Sequence, residues 1–304
     1  MSDNEATTDS AGAMQPPVIT GSPVEIASGV YVIPDGGVEL VPNVGVIVGD
    51  RAALVVDSGL GPRNGAIVRA AAEEVADGRR LFLTLTHWHP EHGFGAQAFA
   101  DATIVYNRTQ REEMREKAGG FLGMFSQFGD VVAQELADVE LIDPHVVYDG
   151  GAEIDLGGRT AKLRTWGPGH TRQDQGVYLP DEKVLFIGDL IECRSFPVLS
   201  YFPPLDTEVN ARKWISVLDE IAAMDIQTVV PGHGEIGGLG LLARSREYLE
   251  ALLSETNRLA DGGEDPEKIP AMVLPGLIAR FPEWEVPPEF LLAAGVQSVL
   301  ALRG

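Results

Sequence analysis

The chain has 304 residues, enough for one large α/β domain or two small ones, and 45 acidic against 23 basic residues give it a formal net charge of −22. A surface that negative repels polyanions, so nucleic acid and anionic membranes are excluded as partners on electrostatic grounds. No run approaches the roughly eighteen apolar residues of a spanning helix, and the single cysteine, Cys193, rules out an internal disulfide, which fits a cytoplasmic protein.

Residues 1–22 are small, polar and Pro-containing, without a basic start or an apolar h-region, and read as a disordered tail rather than a signal peptide. Short β-rich runs follow at Val30 to Pro34, Val46 to Val48 and Ala52 to Val56, separated by Gly, Pro and Asp. Asn64 to Ala76 is alanine-rich and helical. Leu81 to Leu85 reads as a buried strand that runs straight into the segment THWHPEHG. After a strand at Thr103 to Tyr106, a helical insertion near 109–145 opens with charges and closes with Phe121, Leu122, Met124, Phe125 and Phe128 at helical spacing.

Strands resume at Arg159 to Trp166, Gly176 to Leu179 and Val184 to Ile187. A helix at Glu208 to Met224, a strand at Thr228 to Val230 and a helix from near Leu239 complete the pattern. Two blocks of strands and helices predict two sheets packed face to face with helices outside, in one domain over 23–262. Residues 263–304 read as a helical extension whose last amphipathic helix, Glu289 to Leu302, packs on the domain or forms a homodimer contact.

Six histidines occur in the chain, and three of them, His87, His89 and His92, lie within THWHPEHG. Imidazoles this close repel one another when protonated and gain little from packing, so a shared cation is the simplest account of them. Residues two apart at a strand end point to the same side, which lets His87 and His89 approach one ion together. Pro90 suits the first turn of a helix that would carry Glu91 and His92 to a second position. Imidazole and carboxylate donors accept zinc, iron or manganese.

HWHPEH resembles the HxHxDH signature of the metallo-β-lactamase superfamily. Further marks of that family follow in its usual arrangement: Asp57 in VVDSG, His170 in GPGHT, Asp189 in FIGDL and His233 in PGHG, so that the resemblance covers about residues 28–250. It implies an α/β fold of the αββα four-layer sandwich type and one or two divalent transition-metal ions, zinc foremost with iron or manganese as alternatives. It also implies that His87, His89 and His170 hold the first ion, Glu91, His92 and His233 the second, and that Asp189 bridges them. Only His145 is then left over, as an ordinary loop residue. Asp57 would orient a ligand from behind, with a turn-forming aspartate as the competing reading.

The family usually has Asp where Glu91 stands. The extra methylene shifts the carboxylate by about 1.5 Å and is expected to weaken, displace or reshape the second position. Asp189 stands where one group of true β-lactamases has a zinc-binding cysteine, so the chain looks more like the glyoxalase II, lactonase and general hydrolase branches. A tail poor in basic residues counts against a glutathione thioester.

The implied activity is hydrolysis of an ester, thioester, lactone or cyclic amide of a small molecule by a metal-bound hydroxide, with Glu91 and Asp189 as catalytic proton carriers. Phe121 and Phe125, together with Arg194 and Tyr201 of the loop ECRSFPVLSYFPPLD, are candidate substrate contacts, and core or dimer packing explains the phenylalanine stripe equally well. A mononuclear iron oxidoreductase of the sulfur dioxygenase kind is the alternative enzyme. A non-enzymatic scaffold and a nuclease are disfavoured by the nearly full donor set and by the acidic balance, respectively.

Overall fold

The structure, a computed structural model, describes residues 14–303. Its first sheet has seven strands in sequence order: β1 (Val24–Ala27), β2 (Val30–Ile33), β3 (Val44–Val48), β4 (Ala52–Val56), β5 (Arg80–Thr84), β6 (Thr103–Asn107) and β7 (Val146–Tyr148). The first four form an antiparallel meander, and β5, β6 and β7 then add in parallel. Parallel steps need crossovers. These are supplied by α1 (Gly61–Ala76), by the short α2 (Pro90–Gly93), and by α3 (Arg108–Phe125) with α4 (Asp130–Glu135).

The second sheet runs β12-β11-β10-β9-β8, from β8 (Gly151–Asp155), β9 (Thr160–Trp166), β10 (Asp174–Leu179), β11 (Val184–Glu192) and β12 (Thr228–His233). Neighbours are antiparallel except β11 and β12, which α5 (Ala211–Ala222) connects in parallel. Three long helices follow: α6 (Gly240–Asp261), α7 (Ile269–Arg280) and α8 (Glu289–Ala301).

Strand periodicity explains the layering. In β4, Leu54 and Val56 point into a core shared with Val177, Val184 and Phe186 of the second sheet, while Ala53 and Val55 point to a core shared with Val68 and Ala72 of α1. In β11, Val184 and Phe186 face the first sheet, and Leu185 and Ile187 face Trp214, Leu218 and Leu249 of the outer helices. Strands apolar on both faces must be covered on both. The result is the expected αββα sandwich.

Several details depart from the sequence reading. Residues 1–13 of the expected tail lie outside the described part, but from there the chain is packed. Ile19 is buried, and Asn64 ties the segment to α1 by accepting from the Ile19 amide at 2.7 Å and donating to the Pro17 carbonyl at 2.8 Å. The insertion breaks at Gly129, whose φ of 131° suits no other residue type, and Met114, Ala118, Phe121 and Phe125 of α3 belong to the core of the first sheet. Helix α7 was hidden by Pro275 within it. In the 263–304 extension, Leu274, Phe281, Trp284 and Val296 pack into the same core as β11 and α6. No helix among the described residues is long and apolar enough to cross a membrane.

Candidate metal centre

The donors come from the ends of strands in both sheets. The chain leaving β5 carries His87 and His89, and Pro90 then opens α2, which carries Glu91 and His92. The second sheet contributes His170 from the β9–β10 connection, Asp189 from within β11 and His233 from the end of β12. Asn43 fixes the last of these by donating to the carbonyls of Pro231 and Gly234 at 3.1 and 2.9 Å. Gly232 is required for space, because a Cβ there would collide with the Asp189 Oδ1 atom.

Folding gathers these residues into two adjoining groups, His87, His89 and His170 in one and Glu91, His92, Asp189 and His233 in the other, each with its donor atoms within 4.8 Å of one another. In the first group, His89 Nδ1 lies 3.2 Å from His87 Nε2 and 3.0 Å from His170 Nε2. Nitrogens held at roughly 2.0–2.1 Å by a tetrahedral cation sit about 3.3 Å apart, so this spacing is close to that of a ligand cage. Asp189 stands between the groups. Its Oδ2 is 3.7 Å from His87 Nε2, 3.8 Å from His170 Nε2 and 3.7 Å from His233 Nε2, and its Oδ1 is 3.3 Å from His92 Nε2.

The outer side of every ring is secured. His92 Nδ1 meets Asp57 Oδ2 at 2.9 Å, His170 Nδ1 donates to the Val198 carbonyl at 2.8 Å, and His233 Nδ1 donates to the Val41 carbonyl at 2.9 Å. His87 Nδ1 meets the Thr86 hydroxyl at 3.1 Å, and that hydroxyl donates to Asp57 at 2.9 Å. His89 Nε2 meets Asp206 Oδ2 at 3.2 Å. An acceptor on one nitrogen fixes the proton there and leaves the lone pair of the other facing inward, as metal ligation requires.

Three inward atoms, Glu91 Oε2, His92 Nε2 and Asp189 Oδ1, are buried without a well-formed hydrogen bond, the last two being in a 3.3 Å contact whose angles do not make one. Leaving such groups unpaired costs about 1–3 kcal/mol each, and more when they are charged, so the donor set fits a cation that would satisfy all three at once.

Electrostatics agrees. Burial pushes the His87 ring well below its usual range, with His92 adding to the effect, and burial together with His89 takes His170 down to about 4. Burial also opposes charge on His92, but Asp189 and Asp57 pull that ring well above its usual range. For Asp189, burial favours the neutral acid, yet His92, His233 and His87 hold the carboxyl well below its ordinary value. The charge that balances Asp189 here is that of His92, and a cation held between the groups would take over that role.

The other sequence candidates are distributed as follows. Asp57 meets the His92 ring from behind at 2.9 Å and has a φ of 71°, so the contact and the turn conformation occur together. Glu91, despite its extra length, brings a carboxylate oxygen into the second group. Phe121 packs edge-on against the His89 ring at 5.4 Å, and Phe125 packs on Phe121; both are buried in the core of the first sheet, which favours the packing alternative. Arg194 is exposed and paired with Glu235, and Tyr201 is half-buried against the core of the second half. His145 accepts from the Ile104 amide in a loop away from the donors.

Sequence reasoning missed four acidic residues and a lysine. Asp174 clamps the His170 loop by accepting from the His170 amide at 3.0 Å and the Thr171 hydroxyl at 2.7 Å, and burial pushes its carboxyl up to about 7. Glu192 accepts from the Val198 amide at 3.1 Å, so it anchors the residue whose carbonyl meets His170, and burial followed by the nearby Asp189 charge pushes it well up. Asp206, Lys117 and Glu113 form a buried chain behind His89.

A stacked αββα fold with seven imidazole and carboxylate donors collected where strands of its two sheets end defines a class of α/β proteins built around a metal-binding site. Residues 37–233 match the Metallo-beta-lactamase superfamily, and the chain belongs to it. It is similar to the beta-lactamase-like protein 2 homolog of Caenorhabditis elegans, 22% identical over 206 residues that cover 67% of this chain and 59% of that protein. It is also similar to the acyl-coenzyme A thioesterase MBLAC2 of Bos taurus, 26% identical over 217 residues, covering 66% and 76%. Among solved structures, the stereoselective inverting sec-alkylsulfatase Pisa1 from Pseudomonas sp. superposes with a TM-score of 0.69 at 17% identity, covering 92% of this chain and 49% of that one. The last likeness is one of fold.

Proposed function

We propose that the protein is a metal-dependent hydrolase that cleaves an ester, thioester, lactone or cyclic amide in a small organic substrate. The observation that carries this reading is Asp189 standing between two buried donor groups, three inward nitrogens packed together in the first and the unsatisfied atoms of Glu91, His92 and Asp189 in the second. A divalent ion held there supplies an acidified water and an electrophile for the carbonyl oxygen, which makes a serine or cysteine nucleophile unnecessary. Zinc suits the donors, as do iron and manganese.

The chain's own residues have separate tasks. Asp57 and Thr86 fix His92 and His87, and the Val198 carbonyl fixes His170. Glu91 and Asp189 are the carboxylates placed to hold or pass a proton at the reacting water. Lys117, Arg172 and Arg194 are each bonded to carboxylates of the chain. With these cations committed and a net charge of −22, the reading favours an uncharged acyl or lactone group at the reaction centre. The thioesterase named among the relatives keeps thioesters within the class.

The test is elemental analysis of purified protein together with a screen of lactones, thioesters, aryl esters and β-lactams. One to two transition-metal ions per chain and turnover in at least one class are expected, and His87→Ala and His170→Ala should remove first-group metal and reduce that turnover to background. Full turnover by either variant would refute the proposal.

A further inference from the structure

Among the five histidines of the centre, His89 is turned the other way. It presents Nδ1 inward, whereas His87, His92, His170 and His233 present Nε2. Its tautomer therefore depends on an acceptor at Nε2, and that acceptor is Asp206 at 3.2 Å. The other oxygen of Asp206 accepts from Lys117 Nζ at 3.0 Å, and the same ammonium donates to Glu113 at 2.7 Å and Glu208 at 3.4 Å. All three N–H donors of the lysine are thereby used. Asp206 and Glu113 are 1% exposed and Lys117 5%, so these three are shut off from solvent, and only Glu208 at the end of the chain of contacts is partly exposed.

Helix geometry places this device. Glu113, Lys117 and Phe121 are four residues apart on α3 and share one face. Phe121 at the end of that row lies against the His89 ring. Gly120, beside it, leaves room for the Leu205 side chain, and the Phe202 to Asp206 turn closes with amide-to-carbonyl bonds of 2.7 and 3.1 Å that set Asp206 down next to the helix.

We propose that Lys117 is a positioning residue for the first metal: it holds the Asp206 carboxyl in place, Asp206 accepts from His89 Nε2, and the His89 ring is thereby kept with Nδ1 aimed at the ion. On this reading α3 is a buttress of the metal centre. The inference rests on the metal reading above. Removing an orienting partner of this kind typically costs about 10- to 100-fold in metal affinity.

The experiment uses the full chain carrying His233→Ala, which disables the second group, and measures zinc affinity by chelator competition for Lys117→Met, Asp206→Asn and the double variant. Each single change is expected to weaken zinc by about 10- to 100-fold, and the double variant should be no weaker than Asp206→Asn alone, because the lysine acts through the aspartate. With cobalt in place of zinc, the visible absorption band should shift in both single variants and stay fixed in Met114→Leu, a volume-conserving change in the core of the same helix. If Lys117→Met does not fold, Lys117→Met with Glu113→Gln, which removes one charge of each sign, makes the same measurement. Unchanged affinity and an unchanged band in a folded lysine variant would overturn the proposal, as would losses that multiply in the double variant. Failure of the parent protein to bind zinc or cobalt at all would instead overturn the metal reading, and this inference with it.

Discussion

The two donor groups differ in chemistry and in how they are held. The first consists of three imidazoles, all at least 95% buried, whose outer nitrogens are braced by Thr86, Asp206 and the Val198 carbonyl. The second mixes two carboxylates with two imidazoles, one of which, His233, is 21% exposed. The partnerless buried atoms Glu91 Oε2, His92 Nε2 and Asp189 Oδ1 all belong to the second group. Neutral donors bind only if their lone pairs are aimed, so the first group depends on tautomer and ring orientation. Buried carboxylates must be neutralised, so the second depends on the charge it encloses.

The largest expected effect falls where the groups meet. Asp189→Ala removes the carboxylate within 3.8 Å of four of the histidines, so metal content by elemental analysis should fall below one ion per chain and hydrolysis should drop to background. Retention of both ions at parental affinity would show that the two groups are independent. A smaller and one-sided effect is expected from Asp57→Asn, which keeps the shape but weakens the acceptor behind His92. The second ion should bind about 10- to 100-fold more weakly while the first is retained to a greater degree. Equal losses from both would mean that Asp57 acts through Thr86 on His87 as much as through His92.

What was legible in the sequence follows the same division. His87, His89, Glu91 and His92 are close in sequence and sit at the end of an apolar run, so their shared purpose shows in local spacing. His170, Asp189 and His233 became legible through short motifs at strand ends. The supports did not, since Asp206 is 117 residues from His89 and 89 from Lys117, and no local pattern links them. In the fold, strands apolar on both faces such as Ala52–Val56 were visible, whereas β1, β7 and β8 are short and partly exposed and left no clear alternation. Lys117 is one of the charges with which the 109–145 insertion opens. Only tertiary packing shows that its helical face turns inward.

The central claim is that seven side chains from both sheets enclose cations. Crystals grown with zinc and measured at the zinc absorption edge test it most directly. Two anomalous peaks are predicted, one bounded by His87 Nε2, His89 Nδ1 and His170 Nε2 and the other by Glu91, His92 Nε2 and His233 Nε2, with Asp189 between them. Zinc found only at surface carboxylates, with these seven side chains in the same place and no peak among them, would contradict it.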